Sequence, residues 1–197
     1  MRKKRWRLLL LESIASLVAF YFFFRKVNLN QSHQPGDRLD SFNGVLVYYN
    51  GAVDHTDGRN VSGDGYNIGL KYQCVEFVKR YYYEKLHHKM PDSYGHAVDF
   101  YDLELKDGEW NSMRALMQYS NHGNHKPEPE DIIVFDKYIL NRFGHVAIIS
   151  EVHKDQIQIV QQNPGQFGDS RETIGLIKEN SKWVVDHPRA LGWLRKE

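Results

Sequence analysis

The change of hydrophobic period at Pro127 and Pro129 limits the possible folds of this chain more than any other feature. Before it, residues 73–86 place Val75, Phe77, Val78, Tyr81, Tyr82 and Leu86 at helical spacing, with Glu76, Lys79, Arg80 and Glu84 largely on the opposite side. After it, apolar residues come in short β-type runs: 131–135 and 145–152 are nearly continuous, and 156–163 alternates cleanly. His153, Lys154 and Asp155 supply a turn that makes the last two runs an antiparallel hairpin. Runs at 44–49, 173–177, 183–185 and 191–194 predict further short strands, while 96–105 and 110–119 read as two short helices parted by Lys106, Asp107 and Gly108. Helices followed by strands predict an α+β domain in which N-terminal helices pack on an antiparallel sheet.

The amino terminus adds a separate expectation. Arg2, Lys3, Lys4, Arg5 and Arg7 precede an apolar stretch over 8–24, broken by Glu12, Ser13 and Ser16 and closed by Arg25 and Lys26. That stretch is about 17 residues long, at the lower edge of a membrane span, and it ends in aromatic residues rather than a small-residue cleavage site. Residues 1–27 therefore predict a cytoplasmic basic tail and an uncleaved signal-anchor transmembrane helix, and 28–40 a polar linker around Pro35 and Gly36. Residues 41–197 are left as one exported domain, on a single-pass protein of a bacterial cytoplasmic membrane. The net charge is +1, from 26 basic and 25 acidic residues, which gives no cationic field for nucleic acid.

Chemistry concentrates at the chain's 1 cysteine, Cys74. A lone cysteine excludes an intramolecular disulfide and a cysteine-only metal site. Cys74 lies where a Gly69-containing loop enters the 73–86 helix, and a helix N-terminus favours the reactive thiolate. Among 10 histidines, His145 is the strongest partner, because it opens a strand directly after Phe143 and Gly144. Hairpin register places Gln161 and Asn163 on the face opposite His145, with Gln162 pointing away, so either Gln161 or Asn163 is a candidate to orient the imidazole. No metal or other cofactor is expected. His122 and His125 lack a third ligand at metal spacing, and Asp54, Asp57 and Asp64 do not match a calcium loop.

Taken in order, Tyr72-Gln73-Cys74-Val75-Glu76-Phe77, Glu130-Asp131-Ile132-Ile133-Val134-Phe135-Asp136, Gly144-His145-Val146-Ala147-Ile148-Ile149 and Gln161-Gln162-Asn163-Pro164 resemble the motifs of the CHAP family of cysteine amidohydrolases and peptidases. Within that family the similarity is nearest to amidases acting on glutathionylspermidine, and it covers about residues 41–197. The resemblance implies a papain-like fold, Cys74 as nucleophile and His145 as base. The family's third position is usually Glu or Asn. Here it falls on Gln161, with Asn163 two residues on, a departure that bears on the strength of catalysis more than its type. The implied chemistry is acyl transfer, with the oxyanion held by the Cys74 N–H and a further donor from Gln73 or Tyr72. Tyr66, Asn67, Gln73, Gly95 and His96 match segments near which the family places substrate. The resulting expectation is a membrane-tethered amidase or endopeptidase cutting bacterial cell-wall stem peptides. The alternatives are an amidase of glutathionyl-polyamine conjugates and a CHAP module that binds without cutting.

Overall fold

A computed structural model describes residues 2–139 and 141–197. Two α-helices occur, α1 (Arg2–Lys26) and α2 (Cys74–Glu84), with a short 3-10 turn at Val98–Phe100. The strands are β1 (Arg38–Phe42), β2 (Val45–Tyr48), β3 (Arg59–Val61), β4 (Asn67–Leu70), β5 (Glu109–Asn111), β6 (Leu116–Ser120), β7 (Ile132–Phe135), β8 (His145–Val152), β9 (Gln156–Val160), β10 (Arg171–Glu179), β11 (Lys182–Val185) and β12 (Ala190–Arg195). β1 pairs with β2 and β3 with β4, and the other 8 strands form one sheet in the order β11-β10-β9-β8-β7-β12-β6-β5. Neighbours in that sheet are antiparallel throughout. The sheet also curls until its flanks meet: Gly123, just past β6, bridges to Trp183 of β11, and the Asn121 side chain bonds the backbone of Val185.

Curling explains why β7 and β8 are apolar on both faces. Ile132, Val134, Val146 and Ile148 face α2, where they meet Phe77, Val78, Tyr81 and Tyr82. Ile133, Phe135, Ala147 and Ile149 face the inside of the curl with Ile157, Ile159, Leu176 and Trp193. Each fully buried Val, Ile, Leu or Phe among these contributes about 2 kcal/mol. The Tyr82 hydroxyl joins the two layers through its single proton, shared between the carbonyls of Glu130 (2.9 Å) and Leu194 (3.3 Å).

The structure corrects the expected fold class. The domain is sheet-rich, with α2 as the one α-helix packed on the sheet among the described residues. Residues 110–119, read as a helix, are the β5–β6 hairpin. Its turn is held by Asn111 Oδ1 accepting the Arg114 N–H at 3.1 Å and by Ala115 in the left-handed region (φ 53°). Of 96–105 only Val98–Phe100 is helical. There Asp99 accepts the His96 N–H and Asp102 accepts the Glu104 N–H, side-chain bonds that compete with helix propagation.

The transmembrane expectation is overturned as well: among the described residues no helix is long and apolar enough to cross a membrane. α1 has 25 residues, yet basic residues occupy both ends and Glu12 interrupts its apolar part. Its last turn belongs to the domain, since Arg25 pairs with Asp54 and the buried Gln166 side chain donates to the carbonyls of Phe24 (2.7 Å) and Val27 (2.9 Å). The apolar length before that turn is about 20 Å at 1.5 Å per residue, short of the ~30 Å hydrocarbon core. The single-pass localisation and the membrane partner that rested on this span fall with it.

Candidate active site

Cys74 is the first residue of α2, and a buried polar network fixes this turn. Gln162, fully buried on the chain leaving β9, donates to the Gln73 carbonyl (3.0 Å) and to Glu76 (2.9 Å) and accepts the Tyr48 N–H (2.8 Å). Glu76 also pairs with Arg80 at 2.7 Å, and Arg80 reaches the Leu46 carbonyl at 2.8 Å. Gly69 lets β4 lie against the helix, because a Cβ there would sit 3.0 Å from the Glu76 Cα. The first turn of α2 is thus tied to β2, to β4 and to the exit of β9.

His145 is the first residue of β8, paired with Phe135 of β7. Gly144 before it has φ 71°, and a Cβ there would sit 2.6 Å from the Phe135 carbonyl oxygen, so the approach requires glycine. Cys74 and His145 line a common cleft of about 460 Å³, together with Gln73, Gly95, His96 and Asn163. Val146, next to His145, directs its N–H to the Cys74 sulfur.

The orientation of Gln161 fixes the imidazole tautomer. Its amide nitrogen donates to the Asp169 carbonyl (3.2 Å) and the Glu172 carboxylate (3.3 Å), so its oxygen faces His145 Nε2 at 2.9 Å. Nε2 therefore carries the proton, and Nδ1 keeps the lone pair of a base. Burial lowers the His145 pKa to about 4, against the Gln161 bond, and the positive charge of Arg189, with that of His187 when protonated, acts in the same direction as burial. Burial raises the Cys74 pKa, while the amides of Val146, Val75 and Cys74 work against it. Both shifts favour a neutral thiol beside a neutral imidazole. Burial outweighs the thiolate preference expected from the helix N-terminus.

The other expected site residues divide. Gln73 is held by donation to the His55 carbonyl (2.7 Å) and by acceptance from Asn163 Nδ2 (2.8 Å), which leaves one amide hydrogen uncommitted. Asn163 thereby braces Gln73, while Gln161 meets the imidazole. His96 packs at a tilt against Phe143, ring centroids 4.6 Å apart, beside Gly95 on the cleft wall. Tyr66, Asn67 and Tyr72 are absent from that wall. Tyr66 packs on Tyr83 and accepts the Met90 N–H, Asn67 bonds Arg59 and the Ser93 carbonyl, and Tyr72 packs on Tyr48. Sequence reasoning missed Gln162, Glu76, Arg80 and Glu172. The polar residues of the α2 run on a face that packs were the available signal.

The chain is 31% identical over 121 residues to trypanothione synthetase of Crithidia fasciculata, covering 61% of this chain and 19% of that protein. It is 29% identical over 148 residues to the bifunctional glutathionylspermidine synthetase/amidase of Escherichia coli (strain K12), covering 69% and 23%. The alignments thus span about a fifth of the length of these curated relatives. The CHAP domain family matches residues 63–163. That match runs from the β3–β4 turn past the end of β9, about half of the 197 residues, and on it the chain belongs to the CHAP domain family.

Proposed function

We propose that this chain is a cysteine amidohydrolase that cleaves peptide-type amides through a thioester. Family membership and the amidase named among the relatives support amidase or peptidase chemistry. The observation that carries the cysteine-dependent mechanism is the common cleft of Cys74 and His145, with the imidazole tautomer set by Gln161. His145 Nδ1 takes the thiol proton as the sulfur bonds to the substrate carbonyl carbon. The resulting oxyanion accepts from the Cys74 N–H and the uncommitted hydrogen of Gln73 Nε2. The C–N bond then breaks, the imidazolium returns its proton to the departing nitrogen, and water, deprotonated by His145, hydrolyses the thioester. Gln161 holds the ring but brings no charge to the imidazolium, and Glu172 behind it supplies a carboxylate.

Wall stem peptides, expected from the family resemblance, belong to this substrate class. Glutathionylspermidine is the second reading, favoured by the name of the Escherichia coli relative. Mass analysis of products from both substrates, incubated with the wild-type chain and with Cys74→Ala, tests the proposal. Release of an amine by wild type and none by the variant is the expected result. If neither substrate is cut and a thiol reagent labels Cys74 no faster than in the unfolded chain, a binding module becomes the better account.

A further inference from the structure

We infer that a second cavity beside His145 is a leaving-group subsite selecting an amine that carries a carboxylate, with Arg189 as its anchor. The inference rests on the amidase reading and narrows it. This cavity measures about 320 Å³ and is lined by His145 and Gln161 but not by Cys74. It shares Val53, Asn141, His145 and Asn163 with the Cys74 cleft, so the two spaces meet at the imidazole. In acyl transfer the carbonyl carbon stays on sulfur while the departing nitrogen receives its proton from the imidazole. The group attached to that nitrogen lies on the imidazole side, where this cavity opens.

Charge decides what fits there. The Arg189 guanidinium lies over the Tyr138 ring at 4.3 Å and makes no hydrogen bond or ion pair to any described residue. Its N–H fork is free for a planar anion. Of the other charged groups on the wall, Arg25 is paired with Asp54, and Glu172 accepts from the neutral Gln161 amide and keeps its charge beside His145. His187 Nδ1 accepts the backbone N–H of Arg189 at 3.2 Å, which puts the neutral ring's proton on Nε2 as a further donor. A polyamine reaching Arg189 meets a cation without an ion-pair partner, whereas an amino acid or peptide with a free carboxylate gains a charge-assisted pair there.

Three amides with one common acyl part separate the possibilities. Their leaving amines are an amino acid with a free carboxylate, the same amino acid as its carboxamide, and a diamine. Binding to Cys74→Ala is measured by calorimetry, and kcat/KM is measured with wild type. The carboxylate form is expected to exceed the carboxamide by about tenfold in both, with the diamine weakest. In the Arg189→Gln background the ratio falls to about one, and Arg189→Lys keeps part of it. Equal binding of carboxylate and carboxamide, a preference that survives Arg189→Gln, a preference for the diamine, or no measurable binding of any of the three overturns the inference. If wild type cuts none while Cys74→Ala still discriminates, the subsite stands and the amidase reading fails.

Discussion

Exchanging the charges of Gln161 and Glu172 tests how a neutral amide serves beside the imidazole. In Gln161→Glu a carboxylate replaces the amide oxygen 2.9 Å from His145 Nε2. At an effective dielectric of about 20 this is worth roughly 6 kcal/mol of attraction for the imidazolium. The new group's other oxygen, however, takes the place of the amide nitrogen that sits 3.3 Å from Glu172. The same formula gives roughly 5 kcal/mol of repulsion there. Solvent at the exposed Glu172 screens the repulsion, but burial of position 161 adds its own cost for a second charge, and together they hold the new carboxyl group largely protonated and leave the attraction unrealised. The single variant should stay within about threefold of wild type, whereas Gln161→Glu with Glu172→Gln keeps the attraction and restores a donor, for a gain of about tenfold. The assay is the rate of Cys74 alkylation by iodoacetamide across pH, with kcat/KM in parallel. The double variant should react faster than the single at pH below 7, because a higher imidazole pKa leaves more thiolate. Superimposable pH profiles for the two would refute the coupling of Glu172 to His145 through Gln161.

Three further outcomes follow from the same geometry. Cys74→Ala should abolish hydrolysis while lowering stability by no more than about 1 kcal/mol in urea unfolding, and a loss of several kcal/mol would mark Cys74 as a core residue instead. Arg80→Met should cost about 3 kcal/mol by leaving Glu76 buried without its cation, and adding Glu76→Gln should recover part of that loss; full stability in the single variant would count against the network. His145 titrates at about 4 in the folded chain against 6.5 in an unperturbed ring, so between those values the unfolded state binds the extra proton. Stability should therefore fall as pH drops from about 6.5 to about 4, by at most about 3 kcal/mol since the ring borders the cleft, and His145→Asn should flatten that slope in denaturation measured at pH 7, 5 and 4.

The strands from β7 onward were legible because their apolar runs are bounded by turns and too short for helices. The β5–β6 hairpin was not, since Trp110, Met113 and Met117 recur at helical intervals and the turn between the strands is made by an Asn111 side chain, which periodicity does not register. The α1 stretch misled for another reason. Composition shows an apolar length, but not that Arg25 and the Phe24 carbonyl are engaged by Asp54 and Gln166 from distant parts of the chain. At the site, strand alternation correctly turned Gln162 away from His145. What lies on that far side is the N-terminus of α2, and no local pattern reveals a partner 86 positions away.

In the proposed mechanism two successive residues at the head of β8 serve the candidate nucleophile, one through a ring and the next through a peptide N–H. A slip of one position along β7 would withdraw both together and send the ring to the wrong face. Acid–base power and sulfur solvation are thus locked to one strand register, and neither can be adjusted by small backbone drift without the other.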